Sequence, residues 1–115
     1  MHHYCLQAAE AVSADGINAE VIDLRTLLPL DKQAVLKSVR KTSKALIVHE
    51  ANLTGGYGAE LAAIIADEAF TDLDAPVRRL GGPDVPAVPF SHPLQDWFMP
   101  GPEKIAEAIR ELADY

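Results

Sequence analysis

One short stretch, from Ala45 to Ala66, constrains the fold more than any other part of the chain. It begins with four apolar residues, ALIV, which have the length and composition of a β-strand buried on both faces. A polar, glycine-rich turn follows, and from Ala59 onward the sequence is rich in alanine and isoleucine. Because small and apolar residues lie on nearly every side of that helical wheel, we expect a buried helix. A strand, a glycine turn and a buried helix form half of a parallel α/β unit.

The remaining segments alternate between helical and strand patterns. Helical spacing of apolar residues and suitable end residues predict three further helices, at Tyr4–Asp15, Asp31–Lys41 and 103–114. Gly16 suits a left-handed helix end. Further strands are predicted at Ala19–Leu24 and Val77–Leu80. Strands that alternate with helices predict one α/β domain over residues 1–115, with three α/β/α layers around a small, mainly parallel sheet of about three strands.

A proline-rich segment, residues 83–102, interrupts this alternation and holds six of the chain's eight prolines. Proline removes a main-chain donor and fixes φ, which argues against a central strand or a helix. The segment also carries many apolar side chains, at Val85, Val88, Phe90, Leu94, Trp97, Phe98 and Met99. It is therefore too apolar for a disordered linker, and we expect an extended strap held on a surface by its aromatic residues. That surface is a candidate subunit interface.

The turn after the central strand is the best candidate for a functional site. Ligands of open parallel sheets bind beyond the carboxyl ends of the strands, and the turn lies there. Its candidate residues, at a site entrance or a subunit contact, are His49, Glu50, Asn52, Thr54, Gly55 and Gly56. His49 and Glu50 are an acid/base candidate or, alternatively, a hydrogen-bonded pair that orients the loop or contacts a subunit. The glycines would let an anion approach a helix N-terminus, but neither a P-loop nor a dinucleotide fingerprint is present.

Composition and charge restrict the classes of partner that the chain can bind. The formal net charge of −7 argues against a nucleic-acid surface and favours a basic protein partner. Cys5 is the single cysteine, which excludes an internal disulfide and fits a reducing, cytoplasmic setting. No apolar run is long enough to cross a membrane, and no secretory signal is visible. His2, His3 and Cys5 lack a matched second half for a metal site.

Several motifs together resemble the C-terminal, transketolase-C-like domain of the β subunit of thiamine-diphosphate-dependent 2-oxo acid dehydrogenases. These motifs occur in the same order and at the same spacing as in the family. They are AEVIDLRTLLPLD (Ala19–Asp31), LIVHEANLTGGYGAE (Leu46–Glu60), LDAPVRRLGGPDVP (Leu73–Pro86), PFSHPL (Pro89–Leu94) and the closing helix. His49-Glu50-Ala51 with Thr54-Gly55-Gly56 is more similar to the branched-chain (2-oxoisovalerate) type than to the pyruvate type. Pyruvate or acetoin dehydrogenase, another transketolase-group enzyme, and a free-standing anion-binding or assembly module are the alternatives.

The resemblance implies an oxidoreductase that decarboxylates a 2-oxo acid and transfers the acyl group to lipoyl. In such an α2β2 enzyme, thiamine diphosphate and magnesium are held outside this domain, so no catalytic, cofactor-binding or metal-binding residue is expected here, and the chain alone should be inactive. The expected partners are the α subunit, a second β subunit and the acyltransferase subunit-binding domain. Asp72, Asp74 and the terminal carboxylate of Tyr115 lie at positions that in related subunits meet that basic domain.

The resemblance also implies that a strand is missing. In the family a strand precedes the first helix and lies between the strands that correspond to Ala19–Leu24 and Ala45–Val48, whereas this sequence begins near the start of that helix. Either the chain is a fragment of a longer subunit, or the remaining strands close the gap. A fragment with an open centre would expose main-chain groups and apolar surface, and should have low stability.

Overall fold

The computed structural model describes all 115 residues and contains five helices and two strands. The helices are α1 (His2–Ser13), α2 (Lys32–Thr42), α3 (Gly58–Glu68), α4 (His92–Phe98) and α5 (Pro102–Ala113), and the strands are β1 (Leu46–Asn52) and β2 (Arg78–Gly82). A short 3₁₀ turn at Phe70–Asp72 links α3 to the approach to β2. No helix is long and apolar enough to cross a membrane.

The two strands form a parallel sheet that lies between two helical layers. Neighbouring residues of β1 point to opposite faces, so Ile47 packs with α2 and α3 whereas Leu46 and Val48 pack with α1 and α5. Both faces of β1 are therefore covered, which explains its uninterrupted apolar sequence. The predicted three-layer α/β/α fold is confirmed.

The prediction of about three strands is wrong, because Ala19–Leu24 does not join the sheet. Its main chain is extended, but no main-chain N–H or C=O group from Asn18 to Asp23 makes a hydrogen bond to another part of the main chain. A cavity of about 310 Å³ lies between this segment and β1. The gap is wide enough to prevent pairing, and the remaining strands do not close it. The centre of the sheet is open in this chain.

The residues at the helix ends have the conformations and contacts that the sequence predicts. The side chain of Asp31 accepts a hydrogen bond from the main-chain N–H of Ala34 at 3.1 Å, as expected for an N-cap. Gly16 has a φ of +80°, in the left-handed region that was predicted for the end of α1. Pro102 lies in the first turn of α5, where its missing N–H costs nothing.

The proline-rich strap, residues 83–102, is only partly extended, because it contains α4. The expectation that prolines exclude a helix is wrong here, since Pro93 occupies the first turn, where main-chain N–H groups have no helical partner. The ammonium group of Lys104 stabilises the other end of α4 by donating to the carbonyls of Asp96, Trp97 and Met99.

Phe98 anchors the strap to the sheet. Its side chain is only 2% exposed and lies against Gly82, the last residue of β2, where a methyl group would come within 2.5 Å of the ring. By contrast, Phe90 and Trp97 are 97% and 54% exposed. One aromatic residue therefore fixes the segment, and the others remain on the surface.

Candidate functional site at the carboxyl end of the sheet

The loops that follow β1 and β2 meet at one edge of the sheet, as the sequence predicted. The strands are parallel and end at Asn52 and Gly82, so their following loops lie side by side. Asn52 donates from Nδ2 to the carbonyl of Val85 at 3.4 Å, and Arg79 donates to the carbonyl of Leu53 at 3.0 Å. These contacts fix the two loops relative to each other.

The closest contact between the loops is made by Thr54 and Asp84. The Thr54 hydroxyl donates to Asp84 Oδ2 at 2.6 Å, and the Thr54 main-chain N–H donates to Oδ1 at 3.2 Å. These two hydrogen bonds, led by the one from the hydroxyl, lower the pKa of the Asp84 carboxyl group. The candidate anion site at Thr54-Gly55-Gly56 thus already holds a carboxylate of the chain itself.

Three glycines, Gly56, Gly58 and Gly81, pack closely around the imidazole of His49 and are called the glycine cage below. A methyl group built on Gly58 would approach Nε2 of the imidazole to 2.5 Å, and one on Gly56 or Gly81 would approach Cε1 to 2.7 or 2.8 Å. The ring therefore contacts main chain on several sides, at positions where any larger residue would collide with it. Glycine at these positions is explained by this close approach rather than by a ligand.

The two nitrogens of the His49 imidazole are shielded from solvent and have no hydrogen-bond partner. Both Nδ1 and Nε2 of His49 are buried and unpaired within this chain. The neighbouring Glu50 is exposed, and no hydrogen bond joins the two side chains. The interpretation of His49 and Glu50 as a hydrogen-bonded pair is therefore wrong. Since a general base must reach the proton that it takes, the buried nitrogens do not favour an acid/base role in this conformation.

The chain offers no side-chain cluster that suits a metal ion. No three His, Cys, Asp or Glu side chains lie together as a metal site would require, and His2, His3 and Cys5 do not form one. The side chains present therefore do not fit a magnesium site. Of the residues singled out at this edge, the structure brings together Asn52, Thr54 and the loop glycines. It adds Asp84, which the sequence analysis missed.

The three acidic groups proposed for docking lie at the opposite end of the sheet. The main-chain N–H of Asp74 donates to the carbonyl of Ser43, just before β1, and Arg78, the first residue of β2, donates to the hydroxyl of Tyr115 at 2.8 Å. Asp72 lies 3.5 Å from the guanidinium of Arg40, whereas Asp74 is exposed and makes no ion pair. Of the three groups, only the carboxylates of Asp74 and of the chain terminus are left unpaired.

Comparison with known proteins identifies the family. The family described as "Transketolase, C-terminal domain" matches residues 1–105. The chain is 48% identical over 113 residues to the 2-oxoisovalerate dehydrogenase subunit β of Bacillus subtilis, covering 98% of this chain and 35% of that protein. It is 44% identical over 112 residues to the pyruvate dehydrogenase E1 component subunit β of Chaetosphaeridium globosum, covering 97% of this chain and 34% of that protein.

A solved structure shares the fold. It is described as a split-gene transketolase in the form of an inactive β4 tetramer, and it superimposes with a TM-score of 0.83 at 25% identity, covering 98% of this chain and 36% of that chain. This chain thus spans about a third of the length of the relatives that it matches. From the matched family and the shared three-layer fold, we conclude that the chain belongs to the transketolase C-terminal domain family.

Proposed function

We propose that this chain serves as the C-terminal domain of the β subunit of a 2-oxo acid dehydrogenase of the branched-chain (2-oxoisovalerate) type. The observation that carries the proposal is the 48% identity to a 2-oxoisovalerate dehydrogenase β subunit over 98% of the chain. The whole enzyme would decarboxylate a 2-oxo acid oxidatively and pass the acyl group to lipoyl. A cytoplasmic location is part of the proposal, and the single unpaired cysteine is compatible with it.

Within that enzyme the role of the domain is assembly rather than chemistry. Of its acid/base candidates, His49 has both ring nitrogens buried, and the candidate anion site at Thr54-Gly55-Gly56 is occupied by the Asp84 carboxylate. Thiamine diphosphate and magnesium would be held by the α subunit and by the other part of the β subunit. The domain contributes a rigid edge at the carboxyl ends of its strands, where the glycine cage around His49 and the Thr54–Asp84 pair keep two loops in place.

The exposed apolar residues of the strap support an assembly role. Phe90 and Trp97 lie on the surface together with Val88 and Leu94, which are each about half exposed. Aromatic residues at this density are enriched at the centres of protein interfaces. We assign this surface to contacts with the α subunit and a second β subunit, and the β4 assembly of the related split-gene transketolase is consistent with it.

A chimera tests the proposal. The corresponding third of the Bacillus subtilis β subunit is replaced by this chain, and the hybrid is expressed with the α subunit of the same enzyme. We expect a heterotetramer that forms with the α subunit and oxidises 2-oxoisovalerate. The matched control carries Trp97→Asp, which should reduce assembly because it places a charge at the interface. A soluble, folded hybrid that does not bind the α subunit would overturn the proposal.

The proposal also includes docking of the acyltransferase onto this domain. Asp74 and the terminal carboxylate of Tyr115 are unpaired charges at one end of the sheet, and such charges mainly steer association with a basic partner. Binding of the acyltransferase subunit-binding domain to the chimeric enzyme should weaken with added salt and with Asp74→Ala. Asp72→Ala is the control and should change binding less, because the Asp72 carboxylate is already paired with Arg40. Binding that is insensitive to both salt and Asp74→Ala would contradict this assignment.

A pyruvate-type enzyme is the second candidate, because identity to a pyruvate dehydrogenase β subunit is only four percentage points lower, 44% against 48%. A second chimera, in which this chain replaces the corresponding third of a pyruvate dehydrogenase β subunit, separates the two types, because the chain should assemble better in the background of its own type. A free-standing anion-binding module has less support, because an anion at Thr54-Gly55-Gly56 would have to displace the Asp84 carboxylate.

A further inference from the structure

The ammonium group of Lys104, in the first turn of α5, holds the end of α4. It donates to the main-chain carbonyls of Asp96 at 3.1 Å, of Met99 at 2.9 Å and of Trp97. An ammonium group has three N–H donors, so all three are directed at one helix end. No carboxylate forms an ion pair with this lysine. These three contacts, called the Lys104 clasp below, therefore use the whole donor capacity of the side chain.

The helix α4 has no cap of its own at this end. Helices shorter than about 12–15 residues are marginal in water, and α4 has seven residues. The last carbonyls of a helix have no partner within it. α4 ends in an extended residue, Met99, rather than in a left-handed glycine, and its last turn holds no basic side chain. The Lys104 clasp thus supplies from α5 the donors that the end of α4 lacks.

The turn that the clasp closes sets how the strap presents its exposed side chains. Phe98 is buried against Gly82, whereas Leu94 and Trp97 are each 54% exposed. Trp97 is the residue before Phe98, and its carbonyl is one of the three acceptors of the clasp. Release of the clasp would therefore loosen the exposed indole while the buried phenyl ring keeps the strap attached to the sheet.

The clasp is sensitive to one kind of covalent modification. Lys104 lies at the surface, where a small reagent can reach its amine. Acylation of Nε turns the ammonium group into an amide, which has one N–H and no charge. At most one of the three carbonyls would then keep its donor, and the others would turn to water. The helix end would lose most of the stabilisation that the cation gives it.

We propose that Lys104 is a modification site at which a small acyl thioester controls the assembly surface of the strap. The ammonium group gives one proton to water when the clasp opens, and the free amine attacks the thioester carbonyl. The C–N bond forms, the C–S bond breaks, and the thiol leaves with its electron pair and the second proton. This inference rests on the proposed function, in which the whole enzyme makes an acyl thioester on lipoyl and the strap contacts other subunits.

The clasp is tested on the full chain with Nε-acetyllysine installed in place of Lys104. Hydrogen exchange of the Met99 amide, which donates to the carbonyl of Gln95 at 2.8 Å, should become about tenfold faster or more. Trp97 is the single tryptophan, and its fluorescence should shift to longer wavelength. The control carries Nε-acetyllysine in place of Lys37, which is exposed and forms no ion pair, and both readouts should stay as in the parent.

The modification is tested on the chimeric β subunit with S-acetyl-N-acetylcysteamine, a small acyl thioester. Mass spectrometry should find the acetyl group on Lys104, and treatment should weaken binding of the α subunit about threefold or more, because less of the chain has an ordered α4. Lys104→Arg should protect binding from the treatment, since a guanidinium stays charged. Lys37→Arg is the matched control and should give no protection.

The outcomes separate this inference from the proposed function. Unchanged exchange of the Met99 amide after acetylation at Lys104, or equal loss of binding in the parent and Lys104→Arg chimeras, would overturn it. An untreated chimera that binds the α subunit and is insensitive to the thioester would remove the modification site and keep the proposed function. An untreated chimera that does not bind the α subunit would remove the proposed function and, with it, the control of assembly assigned to Lys104.

Discussion

Replacing Gly82 with alanine should destabilise the domain, because the new methyl group has no space. It would lie 2.5 Å from Cζ and 2.9 Å from Cε1 of Phe98, and 2.9 Å from the carbonyl oxygen of Glu50. Carbon atoms in favourable contact are about 3.5–4.0 Å apart, so a shift of about 1 Å is needed. Phe98 is 2% exposed and cannot turn away without leaving the core, and the Glu50 oxygen belongs to the main chain of β1.

The expected loss follows from these contacts. Forcing an extra methyl group into a packed core costs about 1–3 kcal/mol, and replacing a strand glycine with alanine returns about 0.5–1 kcal/mol of main-chain entropy. The net loss should be about 1–2 kcal/mol, or roughly 5–10 °C in melting temperature for a domain of this size. Thermal and urea unfolding followed by circular dichroism measure it. Gly101→Ala is the control, since its methyl group would meet nothing within 4 Å, and it should cost less than Gly82→Ala because only the N-cap preference of glycine over alanine is lost.

A double-mutant cycle isolates the contact with the ring. Phe98→Leu shortens the side chain that faces Gly82, so Gly82→Ala should cost at least about 0.5 kcal/mol less in that background than in the parent chain. The remaining cost should reflect the Glu50 oxygen, which Phe98→Leu does not move. Strict additivity of the two changes, or a Gly82→Ala chain as stable as the parent, would show that the close approach of Phe98 to Gly82 does not anchor the strap.

Three further changes have defined outcomes. Asp31→Ala removes the cap on the Ala34 N–H and should lower the free energy of unfolding by about 1 kcal/mol in urea titrations; no change would mean that the N-cap hydrogen bond is not formed in solution. Gly16→Ala should lower the free energy of unfolding by about 1 kcal/mol in thermal unfolding, because the φ of +80° at Gly16 disfavours a side chain even though nothing lies within 4 Å. A more stable variant would contradict that φ. The Asp84 carboxyl has a lowered pKa in the folded chain, so its hydrogen bonds with Thr54 should stabilise the fold above the ordinary aspartate pKa and be lost as pH falls through the lowered value. Asp84→Asn should therefore flatten the acid limb of the melting temperature against pH, and an unchanged limb would argue against this role.

Much of the fold could be predicted because its signals are local. The run of apolar residues in β1, the cap at Asp31 and the left-handed Gly16 each depend on a few neighbouring residues, and the structure has all three. The position of the candidate site was also predictable, because parallel strands bring their carboxyl ends to one edge whatever their loops contain. For β1, Asp31 and Gly16 the physical cause lies in the neighbouring sequence, and for the site it lies in the parallel arrangement of the strands.

The features that were missed depend on contacts between distant segments. Asp84 meets Thr54 across 30 residues, and no local pattern marks an aspartate after a strand as the partner of a particular loop. The glycine cage around His49 joins Gly81 to Gly56 and Gly58, and a sequence shows only that glycines are present. The segment Ala19–Leu24 has the composition of a strand, but a strand also requires a hydrogen-bonded neighbour, and this segment has none in the structure.

The open space beside β1 bears on the stability of the domain. Cavities in protein cores cost about 24 cal/mol for each Å³, so a space of about 310 Å³ represents at most about 7 kcal/mol, and less where water enters. Domains of this size are stable by only about 5–15 kcal/mol. The unfilled space therefore represents a cost comparable to the total stability, in line with the low stability that the sequence predicts for these residues on their own.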